Sequence, residues 1–184
     1  VDYIGGTRET AIPREDSKMT TQEKLAYLAG IVDGEGYIGI NSVRNNKHLS
    51  TFNYKVRLVV SGTSLLLMDW LVENFGGNYY NKPVYSENHN KSYNWTLYCS
   101  QAGRVIEAIR PYLVIKVKQA DLVVAYRKLQ EQSKRTYVGQ FKFSQDIREE
   151  ISQKVKFLNK RGTKPVETNT SDINELLIKI ESEL

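Results

Sequence analysis

Twelve residues, LAYLAGIVDGEG from Leu25 to Gly36, constrain this chain more than any other stretch. Leu25, Leu28, Ala29 and Val32 recur at i, i+3, i+4 and i+7, which predicts an amphipathic helix. Ala26 and Gly30, with Ala29 beside them, leave one flank of that helix almost bare of side chains. Such a flank admits a second backbone at close range. The helix is expected to end at Asp33-Gly34-Glu35-Gly36, where two glycines supply a cap and turn. Two carboxylates there sit at the negative end of the helix dipole, which disfavours each by ~0.3–1 kcal/mol. A bound cation reverses that penalty, so Glu35 is a candidate ligand for a hard metal such as magnesium. The same residues also satisfy a plainer reading, because Asp-Gly is a common turn signal and Gly-Glu-Gly a flexible hairpin.

After Gly36 the period changes to two, with Ile38 and Ile40 on one side and Tyr37, Gly39, Asn41 and Val43 on the other. A second strand places Phe52, Tyr54, Val56, Leu58 and Val60 toward a core and Asn53, Lys55, Arg57 and Ser61 outside. Simple solvation explains most faces of this kind; here the outward set of two paired strands is rich in groups that read bases. Leu65 to Phe75 reads as a helix stopped by Gly76-Gly77, and Tyr79 to Tyr85 as a third strand. A fourth has Tyr93, Trp95, Leu97 and Cys99 inward and Asn94, Thr96 and Tyr98 outward. Gln101 to Arg110 is a short helix stopped by Pro111, and residues 116–130 form another with Val117, Ala120 and Val124 inward. A basic, aromatic-bearing loop spans Ser133 to Phe143. Ile147, Ile151, Val155 and Leu158 mark a further helix closed by Gly162. A last helix is expected from Asp172, paired with Glu175 as a weak capping box. His48 and His89 each stand alone in a turn and are assigned no metal.

Residues 1–18 mix glycine, proline and charge without periodicity and are expected to form a poorly ordered extension. That leaves 19–184 as a single domain, with a core over about 20–131 and a C-terminal helical part over about 144–184. Helix, two strands, helix, two strands, then helices is an α+β layout: one four-stranded antiparallel sheet with helices on one face. No apolar run approaches the ~18–20 residues that span a bilayer, so no membrane partner is expected. The lone cysteine, Cys99, and the absence of a basic-then-apolar leader suit an intracellular, reducing compartment. A net charge of +5 permits a nucleic-acid partner without requiring one.

LAGIVDGEG, Leu28 to Gly36, closely resembles the signature of the LAGLIDADG homing endonucleases. It departs from it at Ile31, Val32, Gly34 and Glu35, each within that family's pattern. The resemblance implies an αββαββα core over about 20–131, extra C-terminal helices, and site-specific cleavage of double-stranded DNA by metal-dependent phosphodiester hydrolysis. The target would be long and pseudo-palindromic. A scan for repeats finds no second copy of the motif, which in this family implies a homodimer, packed through Ala26, Ala29, Gly30 and Asp33. Glu35 is then the metal-binding carboxylate and the Gly34 carbonyl a second oxygen ligand. Lys116, just after Pro111-Tyr112-Leu113, would polarise the scissile phosphate or solvent, although a surface lysine at a helix start fits the same position. Ser64 stands nearest to where the family often has a water-positioning glutamine.

Magnesium is the expected cofactor, with manganese substituting and calcium supporting binding with little cleavage. Base reading is expected from Asn41, Lys55, Arg57, Ser61, Tyr79, Asn81, Asn94, Thr96 and Tyr98, and phosphate contacts from Lys160, Arg161 and Lys164. The competing class is a non-cleaving DNA-binding protein or an RNA-splicing maturase of the same fold, and RNA is a partner only in that case. The genomic setting of the reading frame, inside an intron or intein or standing alone, discriminates between them.

Overall fold

The computed structural model describes residues 19–44, 52–82, 91–132, 145–160 and 170–182. Thr20 starts the first helix, α1 (Thr21–Glu35), through a capping box. Its hydroxyl accepts the Glu23 N–H, while its own N–H donates to the Glu23 carboxylate at 2.6 Å. Leu28, Ala29 and Val32 are fully buried, so the periodic face is the core face. The other end departs from expectation. Gly34 is helical and Gly36 extended, with φ of −88°, so neither supplies a left-handed cap. Gly36 is required for a different reason: a Cβ there would lie 2.6 Å from the Cα and carbonyl oxygen of Val32. The chain therefore leaves α1 and enters β1 (Gly36–Arg44) with no intervening loop.

β1 pairs antiparallel with β2 (Phe52–Gly62), β2 with β4 (Tyr93–Tyr98), and β4 with β3 (Asn78–Asn81), giving the order β1-β2-β4-β3. Ile38, Ile40, Tyr54, Val56, Leu58, Val60, Trp95 and Leu97 share one face and are buried in the core with α1. Helix α2 (Leu65–Phe75) has the expected bounds. Gly76 and Gly77, at φ of 73° and 79°, then turn the chain back into the sheet through a conformation other residues resist. The third strand ends at Asn81, short of the expected Tyr85; residues 83–90 lie outside the described residues. Cys99 is not the last inward residue of β4 but opens α3 (Cys99–Ile109), with φ of 51°.

A 3-10 turn (Arg110–Tyr112) leads into α4 (Val117–Gln132). This helix buries more than the expected stripe, since Leu122, Val123, Tyr126 and Leu129 are buried along with Ala120, while Val117 and Val124 are only half-buried. The reason is that α4 touches α3 as well as two later helices, α5 (Gln145–Leu158) and α6 (Thr170–Ser182). α6 starts before Asp172, which places the expected Asp172–Glu175 capping pair inside the helix. α5 covers β1, an edge strand: Ser152 Oγ donates to the Ile40 carbonyl and Asn159 Nδ2 to the Ile38 carbonyl, both at 2.8 Å. An edge covered in this way offers no template for strand addition. Among the described residues no helix is long and apolar enough to cross a membrane. Residues 1–18, His48, His89, the 133–143 loop and Gly162 fall outside the described residues.

Tyr54 fastens α5 to the sheet. Its O–H donates to the Glu149 carboxylate, and its backbone carbonyl accepts the Tyr126 O–H at 3.0 Å. Desolvation first, and then the bond to Glu149, push the Tyr54 phenol up to about 12; the same bond holds the Glu149 carboxyl below its ordinary value. A carboxyl depressed on folding adds stability above its unfolded pKa, about 4.3, and loses it as pH falls through the lower folded value. Tyr54→Phe is therefore expected to cost about 1 kcal/mol, roughly 2–8 °C in Tm, at pH 7. The difference from the unaltered protein should shrink as the pH is lowered past about 4. Thermal melts at neutral pH and near pH ~3 check this. An equal difference at both would detach the effect from Glu149.

Candidate active site and nucleic-acid interface

The end of α1 joins one acidic residue of the motif, Asp33, to a distant lysine. Asp33 is half-buried and spends both carboxylate oxygens inside the chain. Oδ2 accepts the Val114 N–H at 2.7 Å and Oδ1 the Lys116 N–H at 2.9 Å. These donors lie at the approach to α4, where backbone N–H groups have no helical acceptor, so Asp33 works as a cap supplied by another helix. Lys116 reaches back, its Nζ donating to the Asp33 carbonyl oxygen at 2.5 Å. A cation here offsets the negative end of α1, whose last turn has no basic residue of its own.

Gly34 and Glu35 follow, both exposed. The Gly34 carbonyl lies in the last turn of α1, beyond the Val32 and Asp33 carbonyls that accept the Gly36 N–H and Lys116 Nζ. With the Glu35 carboxylate it offers hard oxygen donors at the negative helix end, which would suit magnesium or calcium and not a thiolate- or imidazole-seeking metal. Among the described residues no three His, Cys, Asp or Glu side chains are grouped to hold a metal.

The face of the sheet opposite the core is polar and networked. Arg57 sits between Gly39 of β1 and Tyr98 of β4 in the ladder. Its guanidinium carbon lies 5.6 Å from the centre of the Tyr98 ring, and its Nη2 donates to the Tyr80 oxygen at 3.2 Å. The same oxygen accepts from Asn94 Nδ2 at 3.4 Å, and Asn94 Oδ1 accepts from Ser61 Oγ at 2.7 Å. The Asn94 donor, with smaller effects from Arg57 and Thr96, holds the Tyr80 phenol below its ordinary pKa. Thr96 Oγ1 is near enough to add to this without closing a hydrogen bond of its own. On β1, the Tyr37 ring lies over Gly39, where a Cβ would meet it at 2.3 Å, and its O–H donates to Asn41 Oδ1 at 3.2 Å.

Register corrects two expected readers. Tyr79 pairs with Trp95 and Asn81 with Tyr93, so both share the parity of the core face. Tyr79 accordingly donates to Asp69 of α2 at 2.8 Å and packs edge-on against Tyr93. The residues of β3 with outer parity are Asn78 and Tyr80, opposite Thr96 and Asn94. Tyr80 is a member of the face that sequence reasoning missed, and Tyr37, placed on this side by alternation, is not among the expected readers. Adjacent Tyr79 and Tyr80 carry no alternation to set the phase, whereas Asn94, already read as outward, fixes it once the pairing is known.

Other expected positions divide in the same way. Asn41, Lys55, Arg57, Ser61, Asn94, Thr96 and Tyr98 share the outer parity, with Lys55 and Tyr98 exposed. Ala26 and Gly30 are exposed on α1, and a Cβ at Gly30 would meet nothing within 4 Å. Ala29, next to Gly30 and one turn on from Ala26, is nevertheless fully buried in the chain's own core and is not available to a partner. Ser64 caps α2, its Oγ accepting the Leu67 N–H at 3.3 Å. Lys160 is exposed and follows Asn159, whose bond to Ile38 brings this end of α5 beside the start of β1. Arg161 and Lys164 lie outside the described residues.

A sequence model described as LAGLIDADG endonuclease matches residues 28–129, more than half of the chain. No curated protein sequence matches. Among solved structures, the chain is similar to the homing endonuclease I-CvuI in complex with its target in the presence of calcium, at 24% identity and a TM-score of 0.58, covering 87% of this chain and 96% of that one. It is similar to the archaeal intron-encoded homing endonuclease I-Vdi141I complexed with DNA, at 12% identity and a TM-score of 0.57, with the same coverage. The homing endonuclease I-TnaI matches at 17% identity and a TM-score of 0.50, covering 85% of this chain and 97% of that one. These identities speak for the fold, whereas the family match falls on the motif helix and the sheet themselves. The chain belongs to the LAGLIDADG endonuclease family, whose members are site-specific, DNA-cleaving nucleases.

Proposed function

We propose that the protein is a homodimeric homing endonuclease that lays its sheet in the major groove of a long pseudo-palindromic duplex and hydrolyses one phosphodiester in each strand. The observation that carries this reading is the exposed Glu35 carboxylate beside the clamped Asp33–Lys116 pair, at the end of a helix with a bare, exposed flank. Packing that flank, Ala26, Gly30 and Gly34, against its symmetry mate needs only one self-complementary patch. It brings two Glu35 residues together and completes the oxygen shell that one chain leaves partial.

Glu35 and the Gly34 carbonyl would hold magnesium, which when bound activates the attacking water and stabilises the leaving oxygen. The remaining work falls to the chain. Asp33 fixes the segment carrying Lys116, and Lys116 places a fixed positive charge where negative charge grows on the phosphate. Ser64, engaged as a helix cap, is given no part in positioning water. Asn41, Lys55, Arg57, Ser61, Asn94 and Tyr98 meet base edges, while Thr96, buried beneath them, does not, and Lys160 meets phosphate. The structures of I-CvuI with DNA in calcium and in magnesium support a divalent ion as the cofactor.

The test uses the purified full chain and a duplex spanning the uninterrupted form of the gene that carries its reading frame. Cutting of both strands is expected in magnesium or manganese, and binding with little cutting in calcium. Binding without cutting in all three ions would assign the chain to the non-cleaving or maturase class instead.

A further inference from the structure

The donor and acceptor capacity of the outer sheet face can be counted. The Tyr80 oxygen accepts from two donors, Arg57 Nη2 and Asn94 Nδ2, so both of its lone pairs are engaged and what remains to it is its own proton. Arg57 has donors only, and its Nε is buried with no hydrogen-bond partner. Asn94 has its amide orientation set from both ends, Oδ1 receiving Ser61 and Nδ2 giving to Tyr80. An arginine on a free stem loses much rotamer freedom on meeting a base. Here Tyr98 beneath the guanidinium and Tyr80 at its edge have already removed that freedom.

We infer that Tyr80 is a positioning residue for target specificity: it holds Arg57 as a preassembled, donor-only unit on the sheet face, and that unit selects guanine at one pair of symmetric positions in the target. In the major groove guanine presents two acceptors, N7 and O6, and no donor. Adenine offers a donor beside its N7, and cytosine offers a donor, so each leaves an Arg57 donor facing a donor. Thymine O4 gives one acceptor beside a methyl group. The inference rests on the reading of the sheet as the DNA-binding face and adds to it both a base and the residue that enforces the choice.

The test is selection of a randomised duplex library by binding in calcium, with the full chain unaltered and as Arg57→Ala, Tyr80→Phe and the double variant. The unaltered protein should enrich guanine at a symmetric pair of positions whose preference Arg57→Ala abolishes. Tyr80→Phe keeps the ring and removes the oxygen; it should lower guanine preference at the same pair by about five- to tenfold and leave other positions unchanged. In the Arg57→Ala background, Tyr80→Phe should change nothing further, because it acts through Arg57. Melting temperatures of all four proteins identify any variant that loses its fold; should Tyr80→Phe do so, Tyr80→His, which restores an acceptor near the same place, should keep the preference.

Three results would overturn the inference while leaving the sheet as the reader: a base other than guanine at the Arg57-dependent positions, an unchanged preference in Tyr80→Phe, or an equal loss from Tyr80→Phe with and without Arg57. Enrichment of no sequence by the unaltered protein would overturn the reading beneath it, and this inference with it.

Discussion

Glu35→Gln should leave DNA binding intact and lower cleavage by roughly a thousandfold or more, the equivalent of about 4 kcal/mol of lost transition-state stabilisation. The amide keeps the shape of the carboxylate and removes its charge, so a metal loses the one anionic ligand that the exposed end of α1 provides. Affinity rests on phosphate and base contacts spread over the sheet, which this substitution does not touch. Binding should hold or tighten, because two carboxylates no longer face the scissile phosphates. Both strands should be affected together, since a dimer carries the change twice. Gel shifts in calcium and cleavage in magnesium, on one target, separate the two properties. A variant that cuts at near-normal rate would remove Glu35 from the metal site.

Gly30→Leu should act in opposite directions on the monomer and on the dimer. Within the chain a Cβ at Gly30 meets nothing within 4 Å, and leucine favours a helix over glycine by up to about 1 kcal/mol, so the folded monomer should keep or gain stability. Across a close helix pair the same side chain enters twice, at about 1–3 kcal/mol for each intrusion. The dimer dissociation constant should therefore rise by roughly 30-fold to 20,000-fold. Sedimentation or light scattering over a dilution series reads the dimer, and circular dichroism confirms the helices. Unchanged dimers would place the contact elsewhere on the surface.

Local signals in the sequence carried much of this architecture. The bounds of α2 and the alternation of β1 and β2 each follow from residues within one turn or one pleat of each other. Of the candidate site, Glu35 was named from its place at the helix end and Lys116 only through the family resemblance, and nothing local says that Asp33 bonds to the backbone of Val114 and Lys116. Those pairs are joined only once α3 has brought the chain back. The misassigned Tyr79 and Asn81 show the limit most clearly, because a four-residue strand with two tyrosines side by side has no readable phase. Its register comes from β4, and β4 neighbours β2 only because the sheet order is β1-β2-β4-β3. Arg57, Asn94 and Tyr80 belong to three strands, so their network is a property of topology that no window of sequence contains.

Glu35 is the last residue of α1 and Gly36 the first of β1, and the absence of a loop between them has a consequence for how such an enzyme changes its target. A flexible joint would let the sheet slide along the groove while the acid stayed over the same bond. With helix and strand continuous, the offset between the severed bond and the bases beneath Asn41 or Arg57 is a constant of the backbone. An insertion of one residue ahead of Ile38 would invert the strand, turning Ile38 and Ile40 toward the DNA and Tyr37 and Asn41 into the core. If the outer face is the reader, as proposed, new targets would be acquired by exchanging its side chains, and descendants of this chain would be free in what they read and fixed in where they cut.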